Sequence, residues 1–167
     1  MRRTSVIMLF VSLFALTAQA ALADSANFHY ANASVDSSTG ALTVSFKLTG
    51  LGTGVSSVLI DLNAAASATY QCWNNGGHHP KAGNKETVGG PIAQEGNFDV
   101  SHGQVTASFT TGPLGPGSFA CPSGQTLYLE AVGYSGISVS TEGTGSGAAS
   151  LDASPSSVSL TGLHQAV

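Results

Sequence analysis

Charged side chains are scarce in this sequence, since Asp, Glu, Lys and Arg together make up 8% of its 167 residues. Both arginines, Arg2 and Arg3, stand at the amino terminus, and from Asp24 onward the net charge is 3 − 9 = −6. Proteins that bind nucleic acid need cations to neutralise phosphates, and arginine forks to read guanine. The sequence therefore predicts no nucleic-acid partner, and it disfavours an anionic membrane surface for the same electrostatic reason.

Long apolar runs are also absent. The longest, Val6–Leu16, is shorter than the roughly 20 residues that a membrane-spanning helix needs. It follows two arginines and precedes small residues, which is the order of a secretory signal peptide. We predict that residues 1–23 are this signal, cleaved near Ala20 or Ala23, and that the mature protein is secreted, soluble and without a membrane span.

No window of useful length repeats apolar residues at helical spacing, whereas alternation of apolar and polar residues recurs along the chain. Two prolines, Pro113 and Pro116, exclude a central strand from the segment between Thr111 and Gly117. The alternation predicts strands at Ala41–Thr49, at Val58–Leu62, at Ala68–Cys72, at Asn97–Val100, at Gln104–Thr110 and at Gln125–Tyr134, the last continuing through Val139 after a bulge at Gly136.

Short strands without helical crossovers favour antiparallel pairing in two packed sheets. We therefore predict an all-β fold, an antiparallel immunoglobulin-like β-sandwich with one disulfide, over residues 24–140. Residues 141–167 are rich in Gly, Ser, Ala and Thr and indicate a flexible segment, in which Val158 and Leu160 fit a short closing strand.

Cysteine is limited to Cys72 and Cys121. Two cysteines in an exported chain predict one disulfide, and the alternation points Cys72 toward the core if Tyr70 points there. The pair resembles the inter-sheet bridge of immunoglobulin domains, with two departures. Trp73 follows Cys72 directly instead of lying about a dozen residues later, and Phe119 stands where those domains carry a tyrosine.

Two segments carry a second resemblance. The first segment contains Thr69-Tyr70-Gln71-Cys72-Trp73-Asn74-Asn75-Gly76-Gly77, followed by His79-Pro80-Lys81-Ala82 and Asn84-Lys85-Glu86. The second segment, Gly117–Leu127, has the form Gly-Ser-Phe-x-Cys-Pro-x-Gly-Gln-x-Leu. These stretches resemble small exported bacterial proteins, mostly actinobacterial, of unassigned function. The similarity spans about residues 25–140, and it implies an exported domain but brings no activity with it.

Aromatic and amide side chains concentrate in two places. If Leu127 and Leu129 face the core, Tyr128, Glu130 and Tyr134 form a stripe on the opposite face of the last long strand. Such a stripe fits a carbohydrate, because rings pack on sugar faces while carboxylates and amides bind hydroxyl groups; the alternative is tyrosines that cap the core with wet hydroxyls. The candidate ligand-binding residues are Trp73, Asn74, Asn75, Tyr128, Glu130 and Tyr134.

The adjacent histidines His78 and His79 are candidate ligands for copper or zinc, but consecutive side chains diverge and a further ligand would have to come from elsewhere. Neither a metalloprotease motif nor a complete G-x-S-x-G motif is present, so we predict no catalytic residue and no cofactor. The sequence predicts a non-catalytic extracellular binding or surface-interaction protein. A metal-binding protein and, more remotely, a secreted hydrolase are the alternatives.

Overall fold

The computed structural model describes residues 26–74, 84–142 and 148–167, and it contains eight strands and no α-helix in this part of the chain. The predicted signal peptide, Asn75, His78 and His79 lie outside the described residues. The strands are β1 (Asn27–Val35), β2 (Leu42–Thr49), β3 (Ser57–Asn74), β4 (Lys85–Asp99), β5 (Val105–Thr111), β6 (Gln125–Thr141), β7 (Ala149–Asp152) and β8 (Ser157–Ala166).

The strands form two antiparallel sheets, so the predicted all-β class and antiparallel pairing are confirmed. The first sheet has the order β1-β2-β5. The second has five strands: β4, β3 and β6 follow one another, and β7 and β8 both pair with the far edge of β6. The connection between β7 and β8 also reaches the first sheet, where Ser154 N donates to Ala31 O at 2.7 Å.

One hydrophobic core lies between the sheets, and strict alternation of side chains builds it. On β2 the predicted residues Leu42, Val44, Phe46 and Leu48 are all fully buried. Phe46 meets Phe98 of β4 edge to face, with ring centroids 5.3 Å apart. Gly96 makes room for this contact, because a Cβ there would lie 2.8 Å from Phe98 Cε2.

Two strands are longer than predicted. The expected strands Val58–Leu62 and Ala68–Cys72 are parts of the single 18-residue strand β3, whose even-numbered side chains are all buried from Val58 to Cys72. β4 extends over 15 residues instead of the four at Asn97–Val100. The sequence did not predict the rest of β4 because it contains Gly89, Gly90 and Pro91, which have low strand propensity. The strand forms nevertheless, since β4 lies at the edge of its sheet, where proline is tolerated.

The carboxyl-terminal segment differs from the flexible segment predicted for residues 141–167. Its described part contains β7 and β8, both hydrogen-bonded to β6. The closing strand predicted around Val158 and Leu160 is present and spans Ser157–Ala166. The strand packs against the core through three partly buried side chains, those of Val158, Leu160 and Leu163.

The predicted disulfide between Cys72 and Cys121 is confirmed, with Cα atoms 5.6 Å apart. Cys72 is fully buried beside Tyr70, as the alternation predicted. Cys121 lies outside every strand, in the connection between β5 and β6. The bridge therefore fastens the end of β3 to the chain that enters β6. No helix among the described residues has the length and apolarity needed to cross a membrane.

Removing the bridge should destabilise the domain. The cysteines are 49 residues apart, and closing a loop of this size constrains the unfolded chain. For the double variant Cys72→Ala/Cys121→Ala we expect the free energy of unfolding to fall by about 2–4 kcal/mol in urea denaturation. Wild-type protein unfolded with a reductant should show a similar loss, and unchanged unfolding of both samples would contradict a stabilising role.

Candidate functional site

At Glu130, strand β6 contains a bulge that changes which of its side chains point to the core. Thr69 and Tyr70 are consecutive on β3, but they pair with Ala131 and Leu129, so Glu130 is an extra residue. A bulge of this kind reverses the alternation, and the buried residues accordingly pass from Leu129 to Val132. A second shift occurs at Gly136, where Asn63 and Ala65 pair with Ser138 and Ser135, and this confirms the predicted bulge.

Because of the Glu130 bulge, Tyr134 does not belong to the outward stripe predicted for it. Its side chain is buried, and its hydroxyl donates to Gly40 O at 2.7 Å in the turn before β2. Burial, together with the nearby Tyr70, raises the pKa of the Tyr134 phenol. Tyr134 thus links the two sheets from inside, with its hydroxyl bonded to the backbone and not to solvent, so it matches neither the outward stripe nor the alternative of tyrosines with wet hydroxyls.

The remaining members of the stripe meet on the solvent side of the five-stranded sheet. Trp73 Nε1 donates to Glu130 Oε1 at 2.7 Å, and His164 Nδ1 lies 3.0 Å from the same oxygen. The Tyr128 and His164 rings are stacked, with centroids 4.2 Å apart. The Trp73 ring meets His164 edge to face at 4.4 Å. We name these four residues, Trp73, Tyr128, Glu130 and His164, the outer aromatic cluster.

His164 was missed by the sequence analysis. β8 carries its own irregularity opposite Glu130, since Leu129 pairs with Gln165 but Ala131 pairs with Thr161. Gly162 and His164 both have positive φ, 76° and 48°, which is uncommon for a residue other than glycine. Gly162 inside β8 could have indicated an irregular strand, but it lay in the segment predicted to be flexible. The two facing irregularities bring the imidazole onto Tyr128.

Glu130 organises the outer aromatic cluster electrostatically. Its side chain is 18% exposed, whereas that of His164 is 48% exposed. Two ring nitrogens, Trp73 Nε1 and His164 Nδ1, converge on the same carboxylate oxygen. The contact with His164 becomes an ion pair when the imidazole is protonated. The carboxylate therefore fixes the orientation of two rings that are themselves in contact with solvent.

Polar side chains surround the cluster on the same side of the sheet. The pairing register places Gln71 beside Tyr128 and Lys85 beside Gln71. Next to them, the hydroxyls of Thr69 and Thr87 are 2.9 Å apart. Asn74 is exposed at the end of β3. Amide, hydroxyl and ammonium groups thus adjoin the aromatic rings, and each can bond to a polar ligand.

The predicted metal site is not described, because His78 and His79 lie outside the described residues. Within the described ranges, no group of three or more His, Cys, Asp and Glu side chains is arranged to hold a metal ion. The metal-binding alternative therefore stays a prediction, and so does the role of Asn75. Of the six candidate ligand-binding residues, Trp73, Tyr128 and Glu130 are brought together, with Asn74 next to Trp73 in the chain.

The opposite placements of Tyr134 and Tyr128 can be tested by removing one hydroxyl from each. Tyr134→Phe leaves Gly40 O without its donor in the interior, so we expect the free energy of unfolding to fall by about 1–2 kcal/mol. Tyr128→Phe on the solvent side should change it by less than about 0.5 kcal/mol. Urea denaturation of both variants measures the difference, and equal losses would contradict the assigned faces.

No family model, curated protein or solved structure matches this chain.

Proposed function

We propose that the protein is an exported, non-catalytic binding module that recognises carbohydrate through the outer aromatic cluster. The observation that carries the proposal is the grouping of Trp73, Tyr128 and His164 on the solvent side of the sheet, oriented by one carboxylate. Three rings in contact form an apolar surface that is already ordered before any ligand arrives. Such preorganisation reduces the entropy cost of binding.

The chemistry of the site suits a sugar ring. The C–H face of a pyranose packs on aromatic rings, while its hydroxyls need hydrogen-bond partners at the rim. Gln71 and Thr69 supply these partners beside Tyr128, and Lys85 adds donors one strand further. Since tryptophan and tyrosine combine apolar area with a polar group, they are the residues expected at such a partly wet interface.

Export and an immunoglobulin-like scaffold form part of the same proposal. The charged, apolar and small-residue order of residues 1–23 supports export. The disulfide between Cys72 and Cys121 is also typical of oxidising compartments. Two antiparallel sheets around one core support the scaffold, and the resemblance of residues 69–86 and 117–127 to small exported actinobacterial proteins agrees with both.

The proposal is tested by titrating soluble neutral oligosaccharides of several linkage types into the mature protein. Isothermal titration calorimetry should detect at least one that binds. Trp73→Ala should weaken that binding about tenfold or more, because an aromatic contact is lost together with the donor to Glu130. Trp73→Phe keeps a ring without the N–H group and should lie between the two.

Tyr30→Ala is the matched control. Tyr30 is a half-buried aromatic residue on β1, and its pairing with Lys47 puts it on the solvent side of the other sheet, away from the outer aromatic cluster. Its truncation should leave the affinity unchanged. The proposal fails if no oligosaccharide in the panel binds, or if Tyr30→Ala weakens binding as much as Trp73→Ala does in folded protein.

A further inference from the structure

The solvent side of the five-stranded sheet, here called the outer face, continues well beyond the outer aromatic cluster. Every odd-numbered side chain of β3 and β4 on this face is exposed or half-buried, and no strand among the described residues covers it. From Trp73 to Asp61 β3 runs twelve residues, which at about 3.3 Å per residue is up to about 40 Å. The face is long enough for several sugar rings in a row.

The charges on this face have predominantly one sign. Glu130 lies at the end with the aromatic rings, and Asp61, Glu95 and Asp99 project outward toward the other end. Lys85 is the one cation that β3 and β4 place on the face within the described residues. An acidic face of this kind attracts a cationic partner and repels an anionic one.

Asp61 and Glu95 are direct cross-strand partners. Two like charges in this position destabilise a sheet unless another group compensates them. A concavity of about 630 Å³ lies beside them and is lined also by Glu142 and Gln94. Within the described residues, β3 and β4 place no lysine or arginine at this end of the face, so neither strand supplies a cation that compensates these carboxylates.

The middle of the face carries small side chains. Between the aromatic and the acidic end, β3 contributes Ala65 and Ser67, and β6 contributes Gly133 and Ser135, which pair with them. These residues line an open concavity of about 330 Å³ together with Ser157 and Ser159 of β8, and a ribbon-like polymer can lie along it. The rings at one end then supply contacts for sugar faces, as the proposed function requires.

We propose that the ligand is a cationic amino-sugar polymer, a glycan whose amino groups are not acetylated, and that it lies along the outer face. Its sugar rings pack on the outer aromatic cluster, and its ammonium groups lie near Glu130 at one end and near Asp61 and Glu95 at the other. This inference rests on the proposed function and adds the charge of the ligand, its polymeric form and the second contact region.

The test compares three probes in calorimetry on the mature protein: β-1,4-linked glucosamine oligomers, their N-acetylated counterparts of equal length, and an acidic uronate oligomer. At low ionic strength and a pH that protonates the amines, the glucosamine oligomers should bind about tenfold more tightly than the acetylated ones. This advantage should disappear as ionic strength rises from about 0.01 M to about 1 M, where the screening length falls from about 30 to about 3 Å.

Charge-neutralising variants test whether the second contact region, and not the overall negative charge of the protein, gives the glucosamine oligomers their advantage. Asp61→Asn/Glu95→Gln should remove most of the advantage of the glucosamine oligomers without weakening the acetylated ones. Glu95→Gln alone should give part of the effect. Asp36→Asn is the charge-matched control for it, since Asp36 lies in the turn between β1 and β2, where an asparagine oxygen can keep accepting hydrogen bonds from Ser38 and Thr39.

The outcomes distinguish this inference from the proposed function. Trp73-dependent binding of acetylated and glucosamine oligomers with equal affinity would overturn the cationic ligand and leave the carbohydrate module standing. Binding of the uronate as tightly as the glucosamine oligomer would overturn it as well. Oligolysine that binds as tightly as the glucosamine oligomer, in a manner insensitive to Trp73→Ala, would assign the acidic end to basic peptides and overturn the cationic glycan, while the carbohydrate module itself is decided by the neutral oligosaccharides.

Discussion

The period-two alternation of β3 is the constraint on which the rest of the molecule depends. This one strand pairs along its length with β4 on one side and with β6 on the other. Its even-numbered side chains enter the core from Val58 to Cys72, and its odd-numbered side chains face solvent. A shift of one residue would exchange the two sets and expose every apolar side chain at once. The position of Trp73 outside the core thus follows from the burial of Cys72.

The candidate site exists because two neighbouring strands interrupt this regularity at the same level. β6 has an extra residue at Glu130, and β8 has its irregularity at Gly162–His164. Without the first, Tyr134 would point to solvent and lose its bond to Gly40. Without the second, the imidazole would not lie on Tyr128. Bulges commonly re-aim side chains next to functional sites.

Alternation made most of the core strands predictable, because Leu42–Leu48, Val58–Leu62 and Ala68–Cys72 each show apolar residues at every second position, although the last two belong to one strand. It failed for β4, where Gly89, Gly90 and Pro91 carry no such signal and the neighbouring β3 determines the strand. It also failed for the site. A bulge is a property of the pairing between strands, so the sequence around Glu130 placed Tyr128 correctly and Tyr134 wrongly. His164 meets Trp73 across 91 positions of the chain, a distance that local patterns do not bridge.

The edge position of β4 affects the tendency of copies of the protein to aggregate. A free edge offers unpaired amides and carbonyls on which another chain can continue the sheet. Pro91 withholds an amide from that edge, and the carboxylates of Glu86, Glu95 and Asp99 give it a common charge. Both features are recognised defences against edge-to-edge aggregation. The segment whose composition least suggested a strand is thus the one that prevents the sheet from growing.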